Sequence, residues 1–374
     1  MRICFVSRRY WPAVSGMSAY ARTCFGTWCA RPRAGPGVPV PGRQRGPGRV
    51  RRRPTARGPG ARRGRGARPG SAGEQAVGRG EPADFEADVA TMTDTVLRLH
   101  ARRPFDVLHA QYAYPNGLAV LRAARTAELP AVVSVQGGDG HWVGTCCTTH
   151  RDLVRAVFAH APALLIGSPS FAAEVCERHD LDPARFTVVP GATDAERFVP
   201  VASPGRVSDP AVLLYHGRVD ARKGVLDLLD AVAKLRADTV PVRLLLSGIG
   251  PDLDSVATRI TELGLADVVE LLGAVPYERA HEVYARGEIF ISPTYAEGFS
   301  NTILEAMASG LPVISTDVVG VRDCVRPDEN GLLVPPGDPA ALAAAVRRLL
   351  DDPELRRRLA GQARSDVESS GAGR

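Results

Sequence analysis

From residue 81 onward, short apolar runs alternate with segments whose apolar positions recur every three or four residues. Runs of the first kind read as buried strands and segments of the second as amphipathic helices. The first half predicts helix 86–102, strand 106–110, helix 116–127, strand 131–135, helix 151–159, strand 163–167, helix 169–179 and strand 187–189. Residues 199–210 hold three prolines and read as a linker. The second half predicts strand 212–216, helix 224–236, strand 243–247, helix 252–263, strand 268–272, helix 277–286 and strand 289–292. Helix 301–309, strands 312–316 and 331–334, and helix 339–351 complete it. Strands alternating with helices of this length build parallel sheets covered on both faces. The fold class is therefore α/β, two Rossmann-like parallel-sheet domains, with ligands expected in the cleft beyond the strands' carboxyl ends.

One stretch breaks the pattern. Between Arg31 and Gly70, 31 of 40 residues are Arg, Gly or Pro, with no acid and no aromatic. Such a stretch buries too little apolar surface to offset its ordering entropy, which predicts disorder. Three readings stand: an Arg-Gly nucleic-acid tail, a flexible insert, or a misread frame of a GC-rich gene, which the 45 Arg against two Lys suggest. The first lacks the aromatics that stack on bases. The stretch also distorts the overall charge of +6, because residues 1–80 hold 18 arginines and one acid. They carry +17, which leaves −11 to the rest, so no nucleic-acid partner is expected of the folded part.

A length of 374 residues suits two domains. No uninterrupted apolar run reaches 18 residues, so no membrane-spanning helix is expected. The opening Met1–Val6 soon meets Arg8 and Arg9, which argues against a secretory signal. Seven cysteines without a CxxC spacing argue against disulfide frameworks and zinc sites, and a cytoplasmic location fits best.

The most informative stretch runs from Pro293 to Pro312. A strand ends, a loop carries Glu297, and Ser300 stands where an N-cap belongs, ahead of a helix closing at Gly310. The free N–H groups of Ser300, Asn301 and Thr302 would form an electropositive terminus suited to a diphosphate. Glu297 and Glu305 flank it, and carboxylates accept hydrogen bonds from sugar hydroxyls. Alone, that spacing equally describes an ordinary strand-helix unit with solvent-facing glutamates. A second strand ends at His216-Gly217-Arg218, and Lys223-Gly224 opens the next helix, so Arg218 and Lys223 could converge on a diphosphate or line a solvated loop. Gly248 and Gly250 form a turn that lacks the third glycine of a dinucleotide fingerprint, which rejects NAD and leaves close approach to a base or ribose. In the first half, the Gly16 loop follows the opening strand, while His109, Gln136 and Asp139 are expected at strand ends facing the cleft. His141, His150 and His160 lack metal-ligand spacing, so no metal is expected. Arg356–Arg358 read as a solvated helix face.

In this order the motifs resemble glycosyltransferase family 4, retaining nucleotide-sugar transferases of GT-B architecture. The Gly16 loop, Gly217-Arg218…Lys223-Gly224, Gly248-x-Gly250-Pro251, Pro293…Glu297-Gly298-Phe299…Leu304-Glu305-Ala306-Met307-Ala308, and Asn330-Gly331-Leu332 carry the resemblance. It implies a nucleoside-diphosphate sugar as donor, no further cofactor, and a glycan, lipid-linked or small-molecule acceptor that could draw the chain to a membrane surface. It implies that Arg218 and Lys223 bind the donor diphosphate, Glu297 the donor sugar, Glu305 the ribose, and Gly16 the distal phosphate. Residues 1–23 and 81–200 would then form the acceptor-side domain, 24–80 the anomalous segment, 201–210 the linker and 211–374 the donor domain. The chain departs from the family at Gln136-Gly137, where His-Gly is usual, and in residues 24–80. Its end at Arg374 predicts a C-terminal helix too short to brace the first domain.

Overall fold

The computed structural model describes residues 1–7, 82–143, 145, 147–200 and 207–369. Gly16, the Arg/Gly/Pro-rich segment and most of the linker lie outside these residues. Among the described residues there are two all-parallel sheets. The first runs in chain order, β1 (Ile3–Val6), β2 (Val107–Gln111), β3 (Ala131–Val135), β4 (Ala163–Ile166) and β5 (Phe186–Val188). β1 pairs with β2 in the register Phe5 to His109. Helices α1 (Pro82–Arg102), α2 (Leu118–Ala127), α3 (Thr148–His160) and α4 (Pro169–His179) connect the later strands. Local chemistry sets their ends: Ser168 accepts from the Phe171 N–H with Pro169 in the first turn, and Asp180 stops α4 in the left-handed conformation. Leu108, Val133, Phe158 and Phe171 fill the core of this half.

The second sheet comprises β6 (Ala211–His216), β7 (Val242–Ser247), β8 (Val269–Gly273), β9 (Ile289–Ser292), β10 (Val313–Thr316) and β11 (Leu332–Val334). Its order is β11-β10-β9-β6-β7-β8, so chain direction across the sheet reverses between β6 and β9. The loops leaving these two neighbours diverge and open the crevice where such sheets hold ligands. Helices α5 (Val225–Ala237), α6 (Leu253–Glu262), α7 (Ala280–Tyr284), α8 (Asn301–Ala308), α9 (Pro339–Asp351) and α10 (Pro353–Ser369) surround it. The predicted helix 277–286 is a 3-10 turn, Tyr277–Arg279, followed by the short α7. Among the described residues no helix is long and apolar enough to cross a membrane.

The Arg364 contacts of α10 do not brace the first sheet: it donates to the carbonyls of Ala195 (3.2 Å), Phe198 (2.7 Å) and Ala308, residues that pack in a core of the second sheet. Phe198, placed by pattern in the first domain, is fully buried with Tyr284 and Phe290 in a core of the second sheet. Nor is Arg356 solvated: it is buried and donates to the carbonyls of Leu349 and Leu350, satisfying the end of α9.

Candidate active site

β6 ends at His216, whose ring is held by Ser247 Oγ at 2.9 Å and kept neutral by burial, which pushes its pKa down to about 4. The following turn is pinned by Tyr215, whose phenol donates to the Arg218 carbonyl at 2.6 Å. Asp220 organises the rest. It is 3% exposed and accepts from Arg218 Nε (3.1 Å), Arg222 Nε (2.8 Å) and the Arg222 backbone N–H (3.1 Å). The hydrogen bonds from Arg222, foremost among several, hold its carboxyl far below the usual range. Arg218 thus spends one nitrogen on Asp220 and presents a half-exposed guanidinium at the crevice. Lys223 closes the turn, with Nζ 2.6 Å from Glu297 Oε1 and 3.4 Å from the Ala296 carbonyl.

The glycines of the neighbouring turn serve packing. A Cβ at Gly248 would stand 1.7 Å from the Gly217 carbonyl oxygen, and one at Gly250 1.8 Å from that of Val219. Both positions are glycine because the β7 turn lies directly on the Arg218 turn.

Beyond β9, Pro293–Ser300 leads into α8. Ser300 takes the N-cap position with extended backbone, but its side chain makes no capping bond; Oγ lies 3.3 Å from Thr302 Oγ1. The terminus therefore keeps backbone donors that a side-chain cap would have used. Glu305 lies one turn further, 6% exposed, accepting from the Tyr284 phenol at 2.7 Å. Burial pushes its pKa up to about 7, against the pull of that hydrogen bond. Tyr284 stands edge-on to His216 and Phe198, so α7 fixes the Glu305 carboxyl from outside its own helix.

The first-half candidates separate. Gln136 immediately follows β3 and is half-buried at the strand's carboxyl end. His109 does not end its strand; β2 continues to Gln111, and the ring is buried against Ser134 Oγ (2.8 Å) and Phe5. Burial pushes its pKa down to about 4. Asp139 is fully buried rather than facing the cleft, and it accepts backbone N–H bonds from Ala113, Tyr114 and Gln136. It ties the turn after β2 to the turn after β3, a scaffold role. Burial pushes its pKa up to about 7 against those three donors. Among the described residues, no group of three or more His, Cys, Asp or Glu side chains is arranged to hold a metal ion.

The two halves meet at the Glu297 loop. A Cβ on Gly298 would stand 3.0 Å from the Gly137 nitrogen, and Ser168 Oγ donates to the Gly298 carbonyl at 3.0 Å. Sequence reasoning missed Asp220 and Tyr284. Asp220 had a signal, an acid midway between the two chosen cations; Tyr284, 21 residues from Glu305, had none.

Residues 201–366 match the family model for glycosyl transferases group 1, and residues 56–197 that for glycosyltransferase family 4. The chain is 34% identical to the D-inositol 3-phosphate glycosyltransferase of Geodermatophilus obscurus over 297 residues, 73% of this chain. It spans 66% of that relative, just under two thirds of its length. The same-named protein of Frankia alni is 30% identical over 306 residues, 75% of each chain. The sucrose-phosphate synthase of Thermosynechococcus elongatus superposes with a TM-score of 0.67 at 26% identity, covering 77% of this chain and 75% of its own.

Proposed function

The chain belongs to the group 1 glycosyl transferases, and on that footing we propose that it moves a hexosyl group from a nucleoside-diphosphate sugar to an acceptor hydroxyl with retention of configuration. The observation that carries this reading is the 2.6 Å contact between Lys223 and Glu297. It joins the loops after β6 and β9, so a cation for phosphate and a carboxylate for sugar hydroxyls lie side by side at the switch point. Arg218, Lys223 and the uncapped start of α8 would hold the diphosphate and offset the charge that builds on it as the C1–O bond breaks. The acceptor oxygen then bonds to C1 on the same face and passes its proton to a diphosphate oxygen. Glu297 would grip the sugar, Glu305 the ribose, and the turn at Gln136 would face the acceptor. With two cations and a helix terminus on the diphosphate, the reading requires no resident metal, and it places the chain where nucleotide sugars are made, in the cytoplasm.

The test is a product assay over a panel of UDP- and GDP-sugars and acceptors. Acceptor-dependent release of nucleoside diphosphate supports transfer. An epimerised donor, or binding without turnover, would replace this reading with an epimerase or a non-catalytic binder. Arg218→Ala and Lys223→Ala should each weaken binding of the cognate nucleoside diphosphate by about 1.5–3 kcal/mol in calorimetry, the range of charge-assisted hydrogen bonds. Glu297→Gln should spare that affinity and cut turnover.

A further inference from the structure

The turn after β3 is built on the first sheet, yet its side chains reach both donor-side loops of the second. The His141 side chain is 7% exposed and its ring packs against Phe171, with centroids 5.0 Å apart. Nε2 lies 3.2 Å from the Glu297 carbonyl oxygen, and Nδ1 lies 3.2 Å from Glu174 Oε1. Both partners are acceptors, one facing each ring nitrogen. Glu174 is itself held by Arg178 at 2.5 Å, and Arg178 donates to the Gly140 carbonyl, closing the contacts back onto the turn. The next residue, Trp142, lies under the Arg222 guanidinium, 4.6 Å from its ring centroid, and Arg222 shares Asp220 with Arg218. Two adjacent side chains thus touch the carboxylate loop and the cation loop respectively.

Glu297 is consequently tethered at both ends. Lys223 holds the carboxylate, and His141 holds the backbone carbonyl of the same residue. A group fixed at one end still swings about its torsions, whereas two tethers set its direction, which a sugar-binding carboxylate needs within a fraction of an ångström. We propose that His141 is the positioning residue for Glu297, donating from Nε2 to its carbonyl while Glu174 orients the ring. The first half of the chain thereby aims a carboxylate that belongs to the second. The inference rests on the proposed role of Glu297 on the donor sugar.

Amide hydrogen exchange of the full chain tests it without any substrate. In His141→Ala, exchange across Thr294–Ser300 should rise about five-fold, the worth of one net hydrogen bond, while β9 stays protected. His141→Gln, whose amide nitrogen reaches the place of Nε2, should restore protection, and His141→Asn, which reaches only the place of Nδ1, should not. Unchanged loop exchange in the Ala variant, or rescue by Asn rather than Gln, would overturn the assignment. If the Ala variant does not fold, the Gln and Asn pair decides by the same difference. Failure of the underlying reading is seen separately, as full turnover by Glu297→Gln in the product assay.

Discussion

At the scale of single residues, environment decides which of many charged side chains carry chemistry. Glu297 and Glu305 flank the same helix start in the sequence, eight residues apart, but one is paired with Lys223 and the other is buried against Tyr284. Burial lifts Glu305 to about 7, above its unfolded value of about 4.3. The sign follows: its protonated form contributes stability that is fully present below roughly pH 4 and is lost as pH rises through 7. Wild type should therefore lose on the order of 3 kcal/mol from this group between pH 4 and 8, and Glu305→Gln should lack that part of the slope. Urea denaturation of both proteins at several pH values checks it; parallel slopes would show that Glu305 does not titrate in this window. Tyr284→Phe removes the hydroxyl that bonds to the Glu305 carboxyl, so nucleotide affinity should fall several-fold while the edge-on ring contacts with His216 and Phe198 survive. Cation candidates were legible because Arg218 and Lys223 sit where a strand gives way to a helix. His109 and Asp139 were misjudged because burial is not written in residue type: both are polar, and both are interior.

At the scale of elements, the alternation of apolar runs and helical periods placed the strands and helices of the described residues to within a few positions. β3, β9, α4 and α9 fall on the predicted bounds. The misses have physical causes. Helix 277–286 kept its period but broke into a 3-10 turn and α7, which lets Tyr284 point at Glu305. Arg356 was expected on a solvated helix face, yet it and Arg364 further along α10 serve backbone carbonyls instead of water. Arg364→Met should cost about 2 kcal/mol or more, since three carbonyls lose a charged donor. Arg364→Lys should recover only part of it, because an ammonium lacks the planar fork. A shift of the denaturation midpoint reads both, and an unmoved midpoint in the Met variant would reduce this contact to surface decoration.

At the scale of the molecule, the site exists only where the halves meet. Gly298 approaches Gly137 so closely that an added Cβ would press on its nitrogen at 3.0 Å and on the Phe171 ring at 3.1 Å. Gly298→Ala should push the halves apart, lowering turnover at least ten-fold by disturbing a packed contact while leaving calorimetric nucleotide affinity unchanged. A variant that retains full turnover would show that this approach is dispensable. The sequence by itself determined the α/β class, the parallel sheets, the loops after β6 and β9 and the family resemblance, because period, turn residues and short motifs are local properties of the chain. Tertiary structure alone decided that Tyr284 fixes Glu305, that Asp139 is scaffold, and that His141 stands behind Glu297. Each of these joins residues more than 20 apart, and such pairings depend on strand order and on the packing of one half against the other, which no local pattern records.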